Sequence, residues 1–492
     1  MSTETPRLSR KLGLLALMAT GICSMLGASI NVVPFMLHRS VPGIGPYVLP
    51  AFIFAMVPAF LAALAYGSLS SAMPRAGGSY LYASRGLNPY LGFIASFSQW
   101  FGLSIVIGVI AYVIVPFIRD VFVALEWPQL AAAMEVSSIR VGISLVLIWG
   151  FVYINVLGGK FYERTVVPLM FIMFALGAIV IVVGFVYTQE DFSQVQAYDL
   201  AQLEGGSLSF DWKTFLSASA VLFSSFIGFD AIAQAGGEAK NPSRALPLAI
   251  VLAIVLVGSF YFLFTRAVYH AVPWTYVAEQ AVQRDISAPG MLAPLLSPVL
   301  SVLILAGAAI ALINDLPAML LSVSRLVFAW AEDGIFPKGI AVTHKTRHTP
   351  HRALILSGMV ASIGVLGSHF AGDFFLGIDI MVTSMMVNFL LMCLTLGTIP
   401  RVNPGLAAKV GMIKSPTGRT LISVLGVGLL VLFLVVHTWK DLSAEVSAWY
   451  FRSTWIWLLV MGIGSAIFYG KVRAMKRNGV DVKKKFRELP SE

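Results

Sequence analysis

The residues from Leu12 to Leu37 include no Lys, Arg, Asp or Glu, and neither do Ser40 to Pro74 or Gly86 to Ile118. Similar runs recur to the end of the chain. A hydrocarbon core of roughly 30 Å is crossed by about 20 apolar helical residues. A soluble fold has no means of hiding so many apolar helices, so these runs predict an all-α membrane protein. Composition agrees: 58% of the 492 residues are hydrophobic and 12% are charged, about half the charge of an average soluble domain. Counting the runs predicts about twelve transmembrane helices. The first six fall near 13–37, 47–72, 90–118, 139–157, 165–187 and 214–238. The second six fall near 245–270, 297–330, 353–370, 374–398, 420–437 and 453–470.

The basic residues orient the chain. Threading twelve spans from a cytoplasmic N-terminus puts 26 of the 34 Lys and Arg on the cytoplasmic side. The positive-inside rule then places both termini in the cytoplasm of a cell with this multi-pass protein in its inner membrane. The net charge of +10 is therefore read as topology and lipid contact, not as a nucleic-acid signal. Arg7, Arg10 and Lys11 precede a run too long for a signal peptide, without an A-x-A-like cleavage site, so that run is read as the first span. Cys23 and Cys393 both lie in apolar runs and offer no disulfide framework or zinc spacing.

Two spans carry helix breakers at membrane depth. The first reads Gly21-Ile-Cys-Ser-Met-Leu-Gly27-Ala28-Ser29-Ile30-Asn31, then Pro34; the sixth reads Ser224-Ser225-Phe226-Ile227-Gly228-Phe229-Asp230. A lone glycine in a membrane helix is usually a packing position. Here glycine, small hydroxyl residues and a polar residue coincide in two spans that are five apart. Five is odd, so a unit of five helices repeated once must be inverted, with the two discontinuous helices meeting near the midplane. Unwound backbone at that depth survives where it lines a cavity. It presents N–H groups suited to a carboxylate and carbonyls suited to an ammonium.

Three segments carry a family resemblance. Met73-Pro74-Arg75-Ala76-Gly77-Gly78-Ser79-Tyr80 resembles the PRAGGxY signature of the amino acid–polyamine–organocation transporters. Glu238-Ala-Lys240-Asn241-Pro242-Ser-Arg244-Ala-Leu-Pro247 is similar to that family's E-x-K-N-P-x-R-x-x-P stretch. Ser324-Arg325 with Glu332-Asp333-Gly334-Ile-Phe-Pro337 resembles its S-R…A-x-D-G-x-x-P stretch. The similarity covers roughly residues 12–400. It implies a LeuT-like 5+5 inverted repeat with discontinuous helices 1 and 6. The expected division is a cytoplasmic segment 1–11, a first repeat 12–187, an inverted second repeat 214–400, helices 11 and 12 over 420–470, and a basic tail 471–492. It implies a permease that carries amino acids by secondary active transport and alternating access, as symporter or exchanger, with H+ or Na+ as the candidate coupling ion.

Site residues follow from the same resemblance. The family's helix-one break G-S-G-I stands here as Gly27-Ala28-Ser29-Ile30, whose N–H groups are expected to receive a substrate carboxylate. Asn31 is either a substrate ligand or a cap for the second half-helix. Ser225-Phe226-Ile227-Gly228 matches the substrate segment of helix six, with carbonyls for the amine and Phe226 as a gate candidate. Where the arginine–agmatine exchanger branch has a stacking tryptophan, this chain has Ser224, which speaks against arginine; Met319 takes the equivalent wall position of helix eight. Asp230 and Asp315 are ionisable residues at membrane depth and hence candidates for coupling or for holding a cation. Asp230 has a plainer reading as a cap at a half-helix N-terminus, and Asp315 has one as a structural hydrogen-bond partner of a neighbouring helix. Asp379, near the outer end of helix ten, is expected in solvent.

No catalytic constellation, metal cluster or cofactor is expected: the chain has no H-E-x-x-H, no G-x-S-x-G and no phosphate-binding loop. His344, His348 and His351 share one loop and read as a solvated, mildly basic segment. A channel would need a continuous polar pore, which the broken helices do not suggest. Two alternatives stay beside the amino acid permease: a carrier of polyamines or other organic cations, favoured by the two aspartates, and a transporter-like substrate sensor without flux.

Overall fold

The structure is a computed structural model that describes residues 8–198, 209–371, 374–446 and 448–490. The segment 1–7, residues 199–208 between the fifth and sixth expected spans and the last two residues of the tail lie outside them. Among the described residues there is no β-strand, only two isolated bridges, Leu12 to Ala239 and Ala76 to Ala235.

The charge-free runs fold into helices in the expected order. In the first half these are α1 (Leu14–Met25), α2 (Ala28–Asn31), α3 (Val33–Ser40), α4 (Val48–Ala72), α5 (Gly78–Gly86), α6 (Pro89–Ala124), α7 (Pro128–Glu135), α8 (Ser137–Leu157), α9 (Gly159–Val186) and α10 (Gln189–Gln196). The second half continues with α11 (Trp212–Leu222), α12 (Asp230–Gln234), α13 (Pro242–Ala271), α14 (Trp274–Gln283), α15 (Ala288–Leu292), α16 (Pro298–Glu332), α17 (His351–Ala371) and α18 (Phe374–Val402). Then come α19 (Pro416–Ser443), α20 (Ser453–Arg477) and the short α21 (Val482–Lys485). Ten of these are long and apolar enough to cross a bilayer. The two expected spans outside that set are the first and the sixth, and both are divided.

Local chemistry explains the boundaries. Asn88 caps α6 by accepting from the backbone N–H groups of Tyr90 and Leu91, with Pro89 at the first helical position. Asp211 caps α11 and accepts from both the hydroxyl and the N–H of Thr214 at 2.7 Å. These two bonds, the hydroxyl first, hold its exposed carboxyl below the usual range. The connections between the expected spans contain short helices, namely α5, α7, α10, α14 and α15. Apolar runs do not report them, because helices this short are set by caps such as Thr188, which forms a reciprocal capping box with Asp191.

Long helix α6 packs centrally against α16, α17 and α18. Small residues permit the approach: Gly108 of α6 lies on the backbone of Ala361 and Gly364 in α17. The divided spans sit inside this frame. The first breaks at Leu26–Gly27 between α1 and α2. The sixth passes from α11 through a tight turn at Phe223–Phe226 into an extended Ile227 and then α12. Gly228 has φ +140°, and a Cβ there would overlap the carbonyl of Ser24. Both the conformation and the contact require glycine, and the contact joins the two breaks.

Candidate functional site at the helix breaks

Asp315 stands at the midpoint of the 35-residue helix α16, with 2% of its surface exposed. Its neighbours fix that helix against the first span and α8: Asn314 Nδ2 donates to Cys23 Sγ at 2.9 Å, and Asn155 Nδ2 donates to the Pro317 carbonyl at 3.2 Å. The Asp315 carboxylate lies against Gly27, close enough that a Cβ on Gly27 would overlap it. A charge buried this deeply is costly without nearby compensation, and the break in the first span is where it is placed.

Beside Asp315 is a small cavity of about 20 Å³, room for about one water molecule. Its polar lining is Ser24, Ser29, Ser224 and Asp315. Its apolar walls come from α6 (Val106, Ile110), from the second break (Ile227), from α16 (Met319) and from α18 (Ile378, Met381). The hydroxyls of Ser24 and Ser224, in residues 3% and 2% exposed, have no hydrogen-bond partner among the described residues.

Four expected site residues, Ser29, Ile227, Met319 and Asp315, thus gather at one cavity, with Gly27 and Gly228 making the close contacts that frame it. Of Ala28 only the backbone, in α2, is described. Ile30 and Asn31 face another gap behind the first span, beside Met173 and Phe264. Asn31 donates from Nδ2 to the Gly27 carbonyl at 3.1 Å, tying the end of α2 to the break. Ser225 lies one layer back and donates to the Ser29 carbonyl at 3.4 Å. Phe226 is not in the lining; it packs edge-on against Phe52 and Tyr261, with ring centroids at 5.1 Å and 5.8 Å. The Tyr261 hydroxyl donates to the Met25 carbonyl at the end of α1.

Asp230 lies away from the cavity. It is fully buried, accepts from the Gly228 N–H at 3.1 Å and accepts from Gln99 Nε2. Gln99 Oε1 accepts from Gln234, which also donates to Ser79 at 2.6 Å. Ser79 bonds the Tyr66 hydroxyl at 2.7 Å, and Asn388 donates to that hydroxyl at 2.6 Å. Asp230 therefore braces the second break and starts a polar chain running away from the cavity. Asp379, expected in solvent, instead has its carboxylate 3.9 Å from Nε2 of the buried His437, with 21% of its side chain exposed.

Sequence reasoning did not single out Ser24 as lining, nor Val106, Ile110, Ile378 and Met381. Ser24 had a usable signal, lying one turn before Gly27 on the same helix face. The wall residues had none, since nothing separates them from ordinary apolar positions.

The three signature segments meet at one end of the bundle. Arg325 and Glu238 pair at 2.6 Å, and Arg85 bonds Asp333 at 2.6 Å and 3.0 Å. Tyr80 donates to Asp333 at 2.6 Å, and Gly77 packs on Ala329. Both ion pairs are buried. Above them, Tyr66, Phe229 and Phe389 form a ring cluster with centroids 4.9 to 5.7 Å apart. Toward the opposite end, Val109 lines both the small cavity and a larger one of about 260 Å³. Arg39, Arg119, Arg140, Asp120 and Asp285 line the larger cavity. One apolar layer thus lies on that side of the site, against several polar and aromatic layers on the other.

The amino acid permease family model matches residues 12–463. The chain belongs to that family. Among similar proteins, cationic amino acid transporter 4 of Homo sapiens is 26% identical over 392 residues, 73% of this chain and 56% of that protein. The match thus spans just over half the length of that relative. An uncharacterized transporter of Mycobacterium tuberculosis is 28% identical over 72% of this chain and 73% of its own. The methylthioribose transporter of Bacillus subtilis is 25% identical over 74% of this chain and 76% of its own. The family and these relatives are transporters, not enzymes, and the ten membrane-length helices make this a multi-pass membrane protein. Within this permease, the contacts among Tyr80, Glu238, Arg325 and Asp333 are what those separated stretches of sequence share.

Proposed function

We propose that this chain is a secondary transporter that carries small amino compounds, amino acids or related amines, across the cytoplasmic membrane by alternating access. The observation that carries the reading is the cavity where the two interrupted spans touch, at the depth of the midpoint of α16. Broken helices in a bilayer leave backbone groups that need partners, and a substrate at the breaks can supply them. On this reading residues 12–187 and 214–400 are inverted repeats. Gly27 to Ile30 and Ser225 to Gly228 form the substrate path, Met319 forms a wall, and Asp230 braces the second break as the candidate coupling group for H+ or Na+.

The basic end, with Arg85, Arg325 and the tail, faces the cytoplasm. The described state is then closed inward and separated from the outer cavity by one layer. Electrostatics favour that state. The outer pairs, Arg39 with Asp285 at 2.8 Å and Arg119 with Asp120 and Glu135 at 2.8 Å and 3.2 Å, are partly or largely exposed, and exposed pairs contribute about 0–1 kcal/mol. Leaving a buried charge unpaired costs about 3–5 kcal/mol, so the inner pairs must exchange partners or water as that side opens.

The test is reconstitution of the full chain in sealed liposomes loaded with unlabelled substrate, followed by uptake of labelled amino acids and amines. Saturable uptake that depends on the internal substrate or on an imposed ion gradient is the expected result. Saturable binding without flux would replace the transporter with the sensor reading.

A further inference from the structure

We infer that the cavity at the helix breaks takes a primary amine without a carboxylate, its ammonium held between Asp315, Ser24 and Ser224. The substrate class is then the decarboxylated counterparts of amino acids, such as small aliphatic or arylalkyl monoamines. The inference rests on the transporter reading above and specifies its substrate.

The argument begins with position. The resemblance assigns the N–H groups of Ala28 to Ile30 to a substrate carboxylate. In this chain the Asp315 carboxylate already lies against Gly27, the residue that leads into that segment. A substrate carboxylate at the same place would be set beside a like charge in a site shielded from water, and such juxtapositions select against the wrong partner.

Charge balance points the same way. Among the described residues, Asp315 is the one charged residue in the cavity lining, and no Lys, Arg or His lines it. Arg85 and Arg325 are paired at the basic end, and Arg39, Arg119 and Arg140 line the outer cavity. A zwitterion would bring a carboxylate that meets no cation here, whereas a monoamine brings a single positive charge opposite a single negative one.

The remaining lining completes an ammonium site. An ammonium carries N–H donors and no acceptor. Ser24 and Ser224 offer two hydroxyl oxygens that are buried, cavity-lining and without a partner among the described residues. Three acceptor groups thus surround one small space. The rest of the lining is apolar, and Met319 and Met381 supply flexible side chains that can shift to admit an alkyl or aryl tail.

The experiment is thermal stabilisation of the purified full chain by matched pairs at equal concentration: isobutylamine against valine, isoamylamine against leucine, and phenethylamine against phenylalanine. At least one amine is expected to raise the melting temperature in a saturable way, with its parent amino acid at least tenfold weaker. Asp315→Asn is expected to abolish that shift, and Ser224→Ala to weaken it severalfold. Should Asp315→Asn fail to fold, the pairwise comparison on the native chain and the Ser224→Ala variant still decide the matter. Stabilisation by the amino acids and not by the amines overturns the inference and leaves the transporter reading standing. Stabilisation by Na+ alone, lost in Asp315→Asn, also overturns it, by making Asp315 a cation site. If no amine, amino acid or Na+ stabilises the chain, the inference fails, and saturable uptake in the liposome assay then shows whether the transporter reading fails with it.

Discussion

At the residue scale, two glycines hold the site together for different reasons. Gly228 combines a φ of +140° with direct contact to the Ser24 carbonyl, so a side chain there meets both backbone strain and overlap. Strain of this kind costs about 1–3 kcal/mol. Gly228→Ala is expected to lower the melting temperature and weaken ligand stabilisation together, read in one thermal-shift series. Gly27 lacks the strained φ, and its constraint is the Asp315 carboxylate. Gly27→Ala is therefore expected to spare most of the fold while displacing Asp315, so that ligand stabilisation falls far more than the melting temperature does. The glycines were legible in the sequence as breakers, but the partner of Gly27 was not. Asp315 is 288 positions away, and its placement follows from the packing of α16 on the first span.

At the element scale, each divided span is braced by a side chain that bonds the backbone at the break. Asn31 serves the Gly27 carbonyl, and Asp230 serves the Gly228 N–H while Gln99 holds its other oxygen. Removing one partner from a buried polar pair leaves the other unsatisfied, at about 1–3 kcal/mol. Asp230→Ala and Gln99→Ala should each destabilise the protein, and the double variant should fall well short of the sum because the two share one bond. Full additivity in chemical or thermal unfolding would count against the brace. At the α11 cap, Asp211 has a carboxyl below its usual range, so its contribution is present above the unfolded-state pKa. It is lost as pH falls through the lower folded-state value. Asp211→Ala is accordingly expected to lower the melting temperature at neutral pH and to make no difference in strong acid. Helix existence was readable from charge-free runs throughout. The short connecting helices were not, since caps and tertiary contacts define them.

At the scale of the whole molecule, the two ends of the bundle are held by different electrostatics. The buried pair of Arg325 with Glu238 and the Tyr80 bond to Asp333, itself paired with buried Arg85, join the three signature segments at one end, while an exposed pair of Arg39 and Asp285 stands at the other. Those segments were recognisable as strings, but their common purpose emerges only when 73–80, 238–247 and 324–337 are seen touching. Glu238→Gln leaves Arg325 without its buried counter-charge and is expected to shift the population toward opening at the basic end. Alternating access requires that the cavity at the helix breaks be reached from one side of the membrane at a time. The most direct test is side-specific thiol labelling of Ser29→Cys, in a background with Cys23 and Cys393 replaced by alanine, in sealed vesicles of defined orientation. Labelling is expected from the outer side in the native background, with protection by a transported ligand and new labelling from the cytoplasmic side in Glu238→Gln. Equal labelling from both sides in the native background, unaffected by any transported ligand, would contradict it.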